Sequence, residues 1–174
     1  MTEQRSFSVS GESGDLTLQG RAIVFTEPAL IEDFYEVIEP TALNGCRLKG
    51  IPLLYNHDHE KIPLARTPKT MSLNIEPDGV YMRATLSNSE RCREIYEAVR
   101  RGDLCGMSFA FVVKEDSYDT MTNTRRIIRI SEILECSITP FPAYASASVE
   151  CRSHISRKRA VRQLINEMKR SFLQ

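Results

Sequence analysis

The chain has 174 residues, with 23 basic and 23 acidic side chains, three histidines and no tryptophan. At 41% hydrophobic it can bury the core of one domain, and no window approaches the ~18 consecutive apolar residues that would span a membrane. The zero net charge divides unevenly: from Cys151 onward seven basic residues face only Glu167, leaving 16 basic against 22 acidic before it, so an acidic body carries a basic tail.

Residues 1–14 are polar, with neither the cationic start nor the apolar centre of a signal peptide, and are expected to be disordered. LTLQGRAIVF (Leu16 to Phe25) alternates and is β-rich, which predicts a strand. FYEVIEP (Phe34 to Pro40) and IPLLYN (Ile51 to Asn56) predict two more. MSLNIEPDGVYMRATL predicts a hairpin, Met71–Glu76 against Val80–Leu86, turning at Pro77-Asp78-Gly79.

A helix follows. Ser87 and Glu90 have capping-box spacing, and Cys92, Ile95, Tyr96 and Val99 form one apolar face. Arg100 and Arg101 fall in the last turn, with Gly102 as the left-handed stop. LCGMSFAFVV returns as a strand, SYDTMTNT is a polar turn, and Arg125–Thr139 is a long strand pairing with Ser108–Val113. Along that strand Ile128, Ile130, Leu134, Cys136 and Ile138 share one face. Arg129, Ser131, Glu135, Ser137 and Thr139 share the other.

The basic segment from Arg152 to Gln174 is joined through the small-residue stretch AYASAS after PFP and reads as an exposed self-cleavage target. Beyond AYASAS a helix over about 156–172 carries Val161, Leu164, Ile165, Met168 and Phe172 as its apolar stripe. The expected organisation is a disordered 1–14, a mainly β body with one internal helix over 15–150, and a basic amphipathic helix in 151–174. Five scattered cysteines (Cys46, Cys92, Cys105, Cys136, Cys151) with no C-x-x-C argue for reduced thiols, and against a disulfide framework or a zinc ribbon.

Chemistry concentrates in two stretches. GDLCGMSFAFVV puts Ser108 at the head of an apolar run, where a serine is ordinarily just a small residue bonding to its own backbone. LLYNHDHEKIPLART holds His57 and His59, two of the three histidines. On an extended backbone these would face the same way, which suits metal ligands in a cupin-like site, although Glu60 follows directly and the body has no further histidine. A serine mechanism instead asks for a hydroxyl, an imidazole and a group to orient it. Ser108 and His57 supply the first two. Glu135 shares a polar face that a solvated strand would explain equally well, and Asp58 lies close to His57 in sequence.

YNHDHEKIPLART, GMSFAF and LECSITPFPAYASA occur in the order and near the distances seen in the prohead proteases of tailed phages. The chain resembles that family from Leu16 to Val149, with Ala65 and Ala110 where glycine is common in it. The resemblance implies a fold similar to the herpesvirus assembly proteases, a β-barrel-like core. It implies Ser108 as nucleophile, His57 as general base and an acidic third member, assigned here to Glu135, with His59 (herpesvirus relatives use a second histidine) and Asp58 as rivals. Gly102 and Gly106 would leave room for a substrate backbone.

The implied function is a serine endopeptidase. It would remove the scaffolding region of the phage major capsid protein, and then digest itself, inside the prohead assembling in the host cytoplasm. Its partners would be the capsid protein with its scaffold and copies of itself, with no direct nucleic acid, no membrane, no cofactor and no metal. The tail would serve either as a handle for co-assembly or as a solvated helix packed on its own body. Two other readings remain open: a metal-dependent cupin-like enzyme using His57 and His59, and a non-catalytic scaffold module of the same fold.

Overall fold

The computed structural model describes residues 16–144 and 146–151. In chain order these form β1 (Thr17–Val24), β2 (Ala29–Ile31), β3 (Phe34–Ile38), β4 (Pro52–Tyr55), β5 (Ala65–Arg66), β6 (Met71–Glu76) and β7 (Gly79–Thr85). The helix α1 (Glu90–Arg101) follows, then β8 (Gly106–Asp119), β9 (Thr124–Thr139) and β10 (Ser148–Cys151). The predicted strands and the internal helix form. The short β2, β5 and β10 were not foreseen, being too brief to show a period.

The spine is β9. One of its edges pairs antiparallel with β8 over nearly its whole length. The other takes two parallel partners in succession, β3 from Tyr35↔Thr124 to Ile38↔Ile127 and β4 from Leu53↔Cys136 to Tyr55↔Ile138. From β8 the sheet continues through β10, β1, β7 and β6. Among the described residues β2 and β6 each have one neighbour, and β5 pairs only with β4. Where a β-barrel-like core was expected, the described residues form an open ten-stranded sheet and not a closed barrel, because closure would require every edge to be paired.

Helix α1 buries Cys92, Ile95 and Val99 in the same cluster as Leu18 of β1, Met82 of β7 and Val149 of β10. Its N-cap is Ser89, two residues beyond the expected Ser87. Ser89 is extended (φ −78°, ψ 157°) and its Oγ accepts from the Cys92 amide at 3.3 Å. Ser87 instead reaches Ser89 Oγ and Cys92 Sγ by its own hydroxyl. Gly102 ends the helix at φ 89°, donating to the carbonyls of Ala98 and Val99.

The strict alternation expected along β9 does not hold. Ile127, Ile130, Ile133, Cys136 and Ile138 are the buried apolar residues, while Leu134 is 46% exposed. Register shifts interrupt the β8–β9 ladder between Ala110/Phe111, Val112/Val113, Val113/Glu115 and Glu115/Asp116. Each shift flips the following side chains to the other face. The stretch Gly106–Ala110 against Glu135–Thr139 is unshifted, as is Asp116–Asp119 against Thr124–Ile127 at the far end of the ladder.

Tyr144 and Ala147 are buried, and β10 lies between β1 and β8 with Ser148 opposite Gly106, so the sheet runs through Cys151. Neither the expected disordered N-terminus nor the basic C-terminal helix falls within the described residues.

Candidate active site

Ser108 is the middle residue of the unshifted stretch Gly106–Ala110 of β8. Its neighbours Met107 and Phe109 turn into the core, leaving Ser108 and Ala110 half-buried on the opposite face. Directly across on β9, Ser108 meets Ser137 and Ala110 meets Glu135. Side chains of directly paired residues share a face, so these four occupy one patch. A serine here does not interrupt the core; it stands on the side away from it.

The histidine arrives from the other edge of β9. After Tyr55, paired with Ile138, both Asn56 (φ 52°) and His57 (φ 58°) take the left-handed conformation. For non-glycine residues this costs roughly 1–2 kcal/mol each. Three amides hold the turn: Asn56 N–H donates to the Ile138 carbonyl (2.9 Å), His57 N–H to Ser137 Oγ (3.2 Å), and Asp58 N–H to the Tyr55 carbonyl (3.1 Å). The chain thus leaves the strand, and the His57 ring meets β9 with Nδ1 2.7 Å from Glu135 Oε1.

Glu135 is fully buried, not solvated as a simple strand face would have it. Its carboxylate accepts from His57 Nδ1–H and, at Oε2, from the Ser137 hydroxyl at 2.5 Å, which compensates its loss of water. A carboxylate can only accept, so Nδ1 is the donor, and in the neutral ring Nε2 keeps a lone pair. The His57 side chain is 43% exposed, open to an incoming group.

Of the three residues considered for orienting His57, Glu135 is the one in contact with it. Asp58 is engaged in its own loop, Oδ1 accepting from the Glu60 amide at 3.1 Å and Oδ2 lying 3.5 Å from Lys61 Nζ. His59 is exposed, in a turn instead of on the extended backbone that would have aligned it with His57. Among the described residues no group of three or more His, Cys, Asp or Glu side chains could hold a metal ion.

A model of the caudovirus prohead serine protease family matches residues 3–162. The chain belongs to that family. It is 22% identical over 173 residues to the prohead protease of Enterobacteria phage HK97, covering 97% of this chain and 74% of that one. Its fold is similar to that in the crystal structure of KSHV protease in complex with a hexapeptide phosphonate inhibitor, with a TM-score of 0.54 and 12% identity over 78% of this chain. The chain spans 64% of that protein's length, and at such identity the likeness concerns the fold alone. Family membership makes this chain a protease of phage capsid maturation.

In this prohead protease the thiol between Glu135 and Ser137 is excluded from nucleophilic chemistry. Cys136 is fully buried on the core face, and burial first, then the Glu135 charge, pushes its thiol up to about 12. It stays protonated at neutral pH, whereas a cysteine nucleophile needs the thiolate.

The two glycines expected to admit a substrate serve the fold. Gly102 is the helix stop, and a side chain at Gly106 would meet Pro142 Cδ at 2.6 Å and the Thr139 carbonyl oxygen at 2.8 Å. Gly106 therefore lets the loop after β9 close against the start of Ser108's strand. Ser137 was missed as a site residue. Its signal was present in the spacing, since it lies two positions from Glu135 on the same strand face.

Proposed function

We propose that this protease is a serine endopeptidase in which Ser108 is the nucleophile, His57 the general base and Glu135 the carboxylate that orients the base. The observation that carries the reading is the 2.7 Å contact between His57 Nδ1 and the fully buried Glu135. With Nδ1 engaged, Nε2 is the ring nitrogen available to take the Ser108 proton as Oγ attacks a peptide carbonyl. It later returns that proton to the leaving amine. The Glu135 charge stabilises the imidazolium formed in between, and its burial strengthens that effect.

The substrate we propose is the scaffolding region of the phage major capsid protein, cleaved inside the assembling prohead in the host cytoplasm, followed by the protease itself. Support comes from the family description and the HK97 relative's name. The basic segment after Cys151 is proposed as the handle for co-assembly with scaffold, its charge favouring encounter with an acidic partner.

Co-expression with the capsid protein tests both parts. The native chain should process capsid protein, and Ser108→Ala should assemble without processing it. A chain ended after Cys151, which keeps β10, should cleave a short peptide normally but fail to enter proheads. Processing by Ser108→Ala would sink the serine mechanism, and efficient packaging of the shortened chain would sink the role of the tail.

A further inference from the structure

Ser137 is fully buried, directly opposite Ser108, and touches both the main chain of His57 and the side chain of Glu135. The directions of its two hydrogen bonds are fixed by its partners. The His57 amide can only donate, so Ser137 Oγ accepts there at 3.2 Å. The Glu135 carboxylate can only accept, so the hydroxyl proton goes to Oε2 at 2.5 Å. One oxygen therefore ties the backbone of the imidazole to the carboxylate that faces its ring.

We propose that Ser137 is a positioning residue that sets the angle between His57 and Glu135 by holding both from one hydroxyl; this rests on the proposed roles of those two residues. Of the three amides in the left-handed turn, those of Asn56 and Asp58 bond to main-chain carbonyls, which no substitution removes. Only the His57 amide depends on a side chain. Without the hydroxyl, that amide loses its partner at a residue already held at φ 58°, and the turn is free to relax. Glu135 loses the bond that fixes Oε2, so Oε1 is free to rotate away from Nδ1. Both errors misdirect the same imidazole, and catalysis is sensitive to displacements near 1 Å. Ser137 is 0% exposed, so it offers substrate no surface.

A purely structural serine would affect stability and leave turnover alone. The test is steady-state kinetics on a short peptide with the full chain, together with proton NMR of the low-field His57 Nδ1–H resonance. Ser137→Ala should lower kcat by on the order of 10- to 100-fold with KM unchanged, and should shift or broaden that resonance. Ser137→Thr, which keeps the hydroxyl, should restore both. Should Ser137→Ala fail to fold, Ser137→Cys carries the same expectation, because its thiol is a weak donor and acceptor. A folded Ala or Cys variant with native kcat overturns the proposal, as does a loss of kcat with the resonance unchanged. Ser108→Ala measured in parallel keeps the two readings apart. If it remains active, the catalytic assignment itself is wrong; if it is inactive while Ser137→Ala is fully active, only the role of Ser137 falls.

Discussion

Among the described residues two glutamates are withdrawn from water, Glu135 near the end of β9 and Glu36 on β3 beside its start, and they are built alike. Glu135 accepts from a hydroxyl, Ser137, and from a ring nitrogen, His57 Nδ1. Glu36 of β3, 7% exposed, accepts from the Tyr144 hydroxyl at 3.1 Å and pairs with Arg125, its register partner on β9, at 3.4 Å. What separates them is whether the partners can exchange a proton near neutrality. The guanidinium is always charged, and burial, then the Glu36 charge, pushes the Tyr144 hydroxyl well above the usual phenol range. The imidazole beside Glu135 can gain or lose a proton and is open on one side. A buried carboxylate alone therefore does not set the proposed catalytic centre apart in this fold; the half-exposed imidazole beside it does.

The contrast should be starkest in turnover. Ser108→Ala and His57→Ala should each reduce peptide cleavage by roughly 10⁴–10⁶, with thermal stability close to native because neither side chain fills the core. Substitutions in the Glu36 cluster should leave cleavage near native. The measurement is kcat/KM beside Tm for both sets. Comparable losses of activity in the two clusters would erase the distinction.

Glu135→Gln is a smaller and more discriminating change. The amide keeps the shape of the carboxylate but removes the charge proposed to stabilise the imidazolium and fix its tautomer. Turnover should fall by roughly 10³–10⁴, less than for Ser108. An unchanged rate would return the orienting role to His59 or Asp58.

Much of this was legible from residue patterns, and the failures have physical causes. The helix from the cap region to Gly102, the Met71–Glu76 hairpin and the pairing of Ser108's strand with the next long strand follow from periodicity and turn residues. Parity also put Ser137 and Glu135 on one face, which the unshifted register preserves. Burial of that face was not legible, because a run such as Glu135-Cys136-Ser137 looks like an ordinary solvated strand until β4 and its turn cover it. The left-handed turn at Asn56 and His57 has no glycine to announce it, so His57 and His59 read as strand neighbours. Barrel closure failed for a related reason, since edge pairing depends on strands too short to carry a pattern.

The smallest expected effect lies on the Glu36 side and concerns stability. Tyr144→Phe keeps the ring that packs 6.1 Å from Phe109 but removes the hydroxyl on Glu36. A hydrogen bond to a charged group contributes about 1.5–3 kcal/mol, so urea unfolding at pH 7 should show a loss at or below that size, with kcat unchanged. Alkaline pH supplies the sign. Tyr144 is raised from an ordinary value of 10.0, so the folded state favours the protonated phenol more than the unfolded chain does. That contribution is complete below pH 10 and is lost as pH rises toward the folded value, at up to about 1.4 kcal/mol per pH unit. Cys136, raised from 9.0 to about 12 by burial and then by Glu135, adds a similar decline from pH 9 upward in both proteins. Above pH 10 the native chain should therefore lose stability more steeply than Tyr144→Phe, and the two curves should converge. Parallel curves would mean that the hydroxyl is not held as a buried donor to Glu36. Reduced turnover at pH 7 would mean that the Glu36 cluster reaches the catalytic residues after all, through Phe109 and the strand that carries Ser108.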